Sequence, residues 1–233
     1  GDRPLDFSKT EENRVDSLGE YISENPTNSK LINATKLSGR TKKGLGIGFF
    51  NGIENRSYGV IWDSTGTASR RIKTNPLTNY NVLVFSQNLV NSSRLSFVNT
   101  NTWREGEARK ANVSLLDFVL NSYRQRYRVA GSVGLSNLIE SGSNVLGHKL
   151  DVAIGKISGN WRFNFVYSEK SDDYDPNDLG FLSRNNLRDI DLRVEYKRFK
   201  PWRNLLRFTA EYRLSYRQLY NPNVFNRVWM QAR

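Results

Sequence analysis

The chain has no cysteine, a single methionine and a single histidine in 233 residues. Without thiols there is no disulfide framework, no thiolate metal site and no cysteine nucleophile. The lack also fits an oxidising compartment, where stray thiols are a liability. With His148 as the sole imidazole, histidine triads and multi-histidine metal sites are excluded. No run approaches 18 continuous apolar residues, which excludes a transmembrane helix. Ser96, Ser114 and Ser132 have no Gly-x-Ser-x-Gly context. Gly44-Leu45-Gly46-Ile47-Gly48 lacks the helix and lysine that phosphate binding needs. No leader opens the chain, which starts at Gly1. Val228-Trp229-Met230 reads as a strand in progress near its end. Both features suggest an excerpt, or a mature chain whose leader is gone.

What is present in excess is positive charge, 35 Lys and Arg against 23 Asp and Glu, a net +12. A strongly basic chain raises nucleic acid as a partner. The arginines, however, recur singly between apolar residues, with no dense Lys/Arg block, so no nucleic-acid partner is expected. Charge spaced in this way belongs to a polar lumen and to strand ends. The mean hydropathy of −0.63 looks soluble, yet a transmembrane barrel averages low because half of each strand is polar.

The pattern along the chain carries the fold. Residues 1–28 are polar and irregular, with a weak helical turn signal at Ser17 to Tyr21. From Ser29 strands follow one another. Gly44 to Ile53 puts Leu45, Ile47 and Phe49 on one face, and Gly46, Gly48 and Gly52 on the other. Ser57 to Asp63 and Arg70 to Thr74 read as further strands. Hairpin turns are expected at Thr41 to Gly44, Asn91 to Ser93, Asn121 to Arg126 and Ser158 to Asn160.

The alternation is cleanest near the end. Trp161, Phe163, Phe165 and Tyr167 share one face, as do Ile190, Leu192, Val194 and Tyr196. From Leu206 the apolar set Phe208, Tyr212, Leu214 and Tyr216 alternates with Arg207, Glu211, Arg213 and Arg217. Strands of a soluble sandwich run about 5 to 6 residues, whereas these run roughly 9 to 12, the length a tilted strand needs to cross a bilayer. Aromatics near the strand ends (Trp161, Tyr167, Tyr196, Trp202, Tyr216 and Tyr220) suit interfacial girdles. The expectation is all-β: an antiparallel up-and-down transmembrane β-barrel, partial, with about ten strands in residues 29–233. The apolar residues just named face lipid. Arg193, Glu195, Lys197, Arg207, Glu211, Arg213 and Arg217 face the lumen.

Two constellations invite chemistry. Asp172, Asp173, Asp175, Asn177 and Asp178 concentrate oxygen ligands of the kind calcium takes, although the spacing is not that of a calcium-binding hand loop and Pro176 marks a turn. A turn rich in Asp and Asn between two strands is the plainer reading, and no cofactor is expected. Glu195 and Glu211 could form a glycosidase pair, which needs a defined carboxylate separation; ion pairing in a lumen is the plainer reading.

Several phrases together resemble one family. They are Asn33 to Thr41, Gly44 to Asn51, Pro76 to Asn81, Phe97 to Asn101 and Tyr174 to Asn186, in that order. The order makes them similar to the large barrel domain of a Bacteroidota surface-protein family of unknown function, whose barrel usually follows a carbohydrate-binding module of the family 9 type. The resemblance spans about Gly1 to Tyr220. It implies a bacterial outer-membrane location, lipid and the rest of the barrel as partners, and the first part of the barrel here. It carries over no catalytic residue. Transport or surface saccharide handling without catalysis is the expected role. The alternatives are a partly assembled barrel held by the barrel-assembly machinery or another outer-membrane protein, a surface saccharide hydrolase, and a soluble β-sandwich binding module.

Overall fold

The computed structural model describes residues 19–26, 28–140, 142–198, 200–201 and 206–233. Among these, fourteen strands form two antiparallel sheets. The smaller has the order β1 (Tyr21–Glu24), β4 (Ser57–Trp62), β5 (Ser69–Asn75). The larger contains β2 (Leu31–Arg40), β3 (Leu45–Glu54), β6 (Thr78–Asn88), β7 (Arg94–Arg104), β8 (Lys110–Asn121), β9 (Tyr127–Glu140), β10 (Ser143–Lys156), β11 (Trp161–Lys170), β12 (Leu187–Arg198), β13 (Phe208–Gln218) and β14 (Phe225–Ala232). Its order is sequential from β14 back to β6, then β3 and β2, an up-and-down meander with β14 and β2 as open edges.

Side chains alternate between faces along a strand, and directly opposed residues share a face, so the registers can be followed across the whole sheet. One hydrogen-bond row reads Ile47, Phe85, Phe97, Leu116, Val133, Leu150 and continues as Glu169, Arg188, Gln218. The row holding Ile154, Phe165, Leu192, Leu214 and Met230 is apolar where that one has become polar. The apolar belt therefore steps across the rows, as it does when strands tilt against the axis of a barrel.

This apolar face is not a packed core. Ile47 is 42% exposed, Phe85 38%, Leu116 39%, Phe165 39% and Met230 62%. A sandwich would bury such a face against a second sheet, and among the described residues nothing covers it. Among the described residues, Ile61 packs against Ile72 as a hydrophobic core cluster, and it lies in the small sheet.

At one end of the large sheet the connections 41–44, 89–93, 122–126 and 157–160 are short. The nine-residue connection 199–207 is at the same end; the opposite end carries the two longest, 55–77, which contains β4 and β5, and the loop 171–186, together with the short connections 105–109, 141–142 and 219–224.

The all-β, antiparallel, up-and-down class holds, with an open sheet. The strand count is larger than the expected ten or so. Ser57 to Asp63 and Arg70 to Thr74 are strands, but they pair with each other in a separate sheet rather than in the wall. Period-2 alternation marks a strand without saying which sheet takes it. Tyr21–Glu24, placed in the irregular leading segment, pairs with β4; four residues are too few to show a period. Strand β10 starts at Ser143, six residues before the expected Lys149, because Gly147 interrupts the alternation without breaking the ladder. Arg207 lies just before β13, so it has no place in the strand's register. Trp202 and most of the residues before β1 lie outside the described residues.

Candidate functional site: the polar face and the loop folded onto it

The loop 171–186 turns back over the polar face of β7 to β10. It starts with a two-way link to β10: the Ser171 amide donates to the His148 carbonyl at 3.0 Å, and the His148 amide donates to Ser171 Oγ at 2.9 Å. Tyr174 follows, only 4% exposed. The wall is shaved to admit it. A Cβ on Gly147 would lie 2.3 Å from the backbone of Tyr174, and one on Gly134 would lie 2.9 Å from its hydroxyl. Between these glycines Ser136, fully buried, accepts the Asp175 amide at 3.1 Å.

Beyond Tyr174 the contact becomes ionic. Arg104 Nη1, at the end of β7, donates to Asp178 Oδ1 at 2.6 Å. Arg109, just before β8, donates through Nε to Asp178 Oδ2 at 3.0 Å and through Nη2 to Asp175 Oδ2 at 2.9 Å. Charge-assisted bonds of this kind are stronger than neutral ones. Burial pushes the Asp175 carboxyl up, but hydrogen bonds from the Asn177 amide and from Arg109 outweigh it and hold the group below its ordinary value. Asn177 caps the turn, accepting the Leu182 amide at 2.7 Å. Asp172 Oδ2 accepts from Asn221 at 2.7 Å, tying the loop to the connection after β13.

Of the five oxygen donors proposed for calcium, Asp175 and Asp178 are thus arginine partners, Asp172 is held by Asn221 and Asn177 braces the turn. Asp173 is exposed, and its carbonyl sits over Gly147. Among the described residues no group of three or more His, Asp or Glu converges as a metal set.

The polar face of β11 to β13 carries the other candidates. Glu195 and Glu211 stand directly opposite each other, and so do Arg193 and Arg213. Like charges opposite one another repel, and the two rows cancel that repulsion. Glu211 accepts from Arg193 at 2.7 Å and also from Arg213. Glu195 is 2.8 Å from Lys197 and 3.6 Å from Arg193. Two rows further along, past Asp191 and Ser215, Arg217 grips Asp189 through two bonds, at 2.6 and 3.1 Å. Arg162, Arg193, Glu195 and Lys197 border an open cleft of about 400 Å³. The arrangement is a charge-balanced polar wall, in which both glutamates are ion-pair acceptors.

On the apolar face, Trp161, Phe163, Phe165 and Tyr167 stand opposite Tyr196, Val194, Leu192 and Ile190. The last three stand in turn opposite Tyr212, Leu214 and Tyr216. Aromatic rings gather toward the short-turn end, Trp161 against Tyr196 at 4.9 Å and Tyr196 against Phe208 at 6.2 Å. Toward the other end the belt gives way to a polar border. Glu169 there is met by His148 at 3.1 Å, Tyr167 at 2.5 Å and Arg188 at 2.7 Å.

Sequence reasoning missed two features. The arginines of the loop latch, Arg104 and Arg109, have no local pattern pointing to Asp175 and Asp178. The second is a row of asparagines on the apolar face, Asn51, Asn81, Asn101, Asn112 and Asn137, each directly opposite the next. A strand-by-strand register would have revealed it.

The whole chain, residues 1–233, matches the model of a family described as a domain of unknown function (DUF5916), and the chain belongs to that family. No curated protein and no solved structure matches it.

Proposed function

We propose that this chain forms a large part of the wall of a bacterial outer-membrane β-barrel, with the loop 171–186 narrowing its lumen, and that the barrel serves passage or surface saccharide handling rather than catalysis. The observation that carries the reading is the split between the faces. A belt of large apolar side chains stays open to its surroundings, while the opposite face holds paired charges and accepts the folded-in loop. Lipid outside and water inside is the setting that rewards this arrangement. The strands of the large sheet, mostly 10 to 14 residues, have the length a tilted strand needs. The two longest connections, 55–77 and 171–186, lie at the same end, and longer loops of such barrels belong to the extracellular side. The resemblance to barrels that follow carbohydrate-binding modules in Bacteroidota supports the saccharide side of the reading.

A second reading concerns assembly. The edge strands β2 and β14 present unpaired backbone groups, and in lipid each such group costs several kcal/mol. Further strands of the same barrel satisfy them in the finished protein; during insertion, the barrel-assembly machinery or another outer-membrane protein would.

The test is fractionation of cells making the full-length protein, followed by detergent extraction and gel electrophoresis with and without heating. Detergent-dependent extraction with heat-modifiable mobility is expected. A freely soluble, heat-insensitive protein would overturn the membrane reading.

A further inference from the structure

We propose that the asparagine row on the apolar face is the docking surface for a glycolipid, an amphiphile whose phosphate-bearing saccharide head lies on the amides and whose acyl chains lie on the apolar belt below. The proposal rests on the membrane reading just given.

The row crosses five adjacent strands without a gap, about 19 Å at the usual strand spacing. It sits on the face that carries the apolar belt, and Asn99 and Ser114 in the neighbouring row widen the polar patch on β7 and β8. One step of two residues toward the short turns, Phe49 and Leu83 follow, opposite each other. One step the other way stands Trp103, opposite Asn79 and 44% exposed. The Lys110 ammonium lies 5.9 Å from the Trp103 ring centre.

The chemistry is that of a sugar head. Each amide offers two donors and an acceptor, which matches hydroxyls that both give and take. The amides already pair with one another and with their neighbours: Asn51 Nδ2 donates to Asn81 Oδ1 at 2.8 Å within the row and to Asn79 Oδ1 at 2.7 Å beside it, and Asn99 Nδ2 donates to Asn112 Oδ1 at 3.2 Å. That pairing fixes the amides in place. An indole face suits the apolar face of a pyranose, and the Lys110 ammonium suits a phosphate.

Height points the same way. On β12 the apolar face runs from Ile190 to Tyr196, about 20 Å of strand. On β6 it offers Leu83 and Phe85 before Asn81 intervenes, about 7 Å. A barrel belt is about 25 Å tall. On β9 the belt runs from Val129 to Leu135 before Asn137, but on β7, as on β6, it offers only Leu95 and Phe97 before Asn99, so over β6 and β7 a polar head must come down to meet the wall. A wide head rich in hydroxyls can do so along the whole row, whereas a phosphoethanolamine head is too small to span it. The row also lies on the side of the long connections, which the membrane reading turns outward.

The experiment uses the full-length protein in detergent with three probes: a bisphosphorylated acyl-disaccharide, phosphatidylethanolamine, and the same disaccharide without acyl chains. Thermal midpoint and bound lipid by native mass spectrometry are read for the parent and for the triple substitution Asn81→Leu, Asn101→Leu, Asn112→Leu. The acylated disaccharide is expected to raise the parent's midpoint and to bind it at least about tenfold better than the triple variant. Equal effects of the two lipids, or retention unchanged in the triple variant, would overturn the proposal. So would a parent oligomer that the triple substitution dissociates, since the occupant would then be a second copy. Should the triple variant lose its heat-modifiable mobility, Lys110→Gln with Trp103→Ala replaces it, with the same expected loss. A parent without heat-modifiable mobility would sink the membrane reading itself; a heat-modifiable parent that ignores the glycolipid would sink this inference alone.

Discussion

Asp178 lies 2.6 Å from Arg104, a partner 74 residues earlier in the chain. Both side chains are largely buried, 14% and 8% exposed, so the pair is shielded from solvent screening. Replacing Asp178 with Ala takes the charged acceptor away from a largely buried guanidinium whose Nη1 also donates to the Arg109 carbonyl at 2.9 Å. The loop should lose about 2–3 kcal/mol of docking. Hydrogen exchange of the amides of Tyr174 and Asp175 should speed up while that of β12 stays protected. Equal protection in the variant would show that the latch does not hold the loop.

Gly147 gives a steric test of the same docking. Gly147→Ala puts a Cβ 2.3 Å from the Tyr174 backbone, so the loop must lift or the strand must shift. Gly39→Ala is the control, since a Cβ there meets nothing within 4 Å. On the proposed function the first substitution should widen the lumen, and single-channel conductance of the full-length protein in planar bilayers should rise. The second should leave it unchanged. If the two behave alike, Tyr174 does not constrict a pore.

Acid should release the latch as well. Asp175 is held below its ordinary value, about 3.9, by the Asn177 amide and Arg109 working against burial. A depressed carboxyl contributes stability above its ordinary value and loses it as the pH falls through the folded value. The loop should stay docked from neutral pH down to that ordinary value and open only below it. Hydrogen exchange in the loop after a pH jump reads this directly. Opening near pH 6 would mean that another group controls it.

How much of this was legible beforehand depended on range. The alternation of Ile190, Leu192, Val194 and Tyr196 is local, so fold class and the two faces could be read from the sequence. The turns at Thr41 to Gly44 and Ser158 to Asn160 were equally local. Which sheet took Ser57–Trp62 was not, because pairing is decided by partners elsewhere. The asparagine row depends on four registers at once, and a shift of one residue in any of them would scatter it. The acidic loop was noticed for its oxygens, yet its partners Arg104 and Arg109 lie on the far side of several hairpins.

Glu195 and Glu211 separate a structural role from a catalytic one. Glu211 holds apart the directly opposed Arg193 and Arg213, so Glu211→Gln should lower the thermal midpoint in detergent. Glu211→Gln combined with Arg213→Gln should recover part of that loss. Any saccharide turnover measured for the full-length protein should survive Glu195→Gln and Glu211→Gln. Its abolition by either, with folding intact, would revive the hydrolase alternative.

The belt itself can be tested at its centre. Leu192 stands between Phe165 on β11 and Leu214 on β13, three apolar residues in one row on the open face. An arginine at the middle of a lipid-facing belt costs about 2–4 kcal/mol, and the cost falls toward the interfaces. Leu192→Arg should therefore destabilise folding into bilayers strongly, and Tyr196→Arg, near the short-turn border, much less. Ser215, opposite Asp191 on the polar face, supplies the contrast, because Ser215→Arg places the same charge on the wet side and should cost little. Urea titrations in lipid vesicles would give all three values. A graded loss on the apolar face with tolerance on the polar face is what a membrane wall requires. Equal tolerance at Leu192 and Ser215 would mean that water, not lipid, bathes both faces.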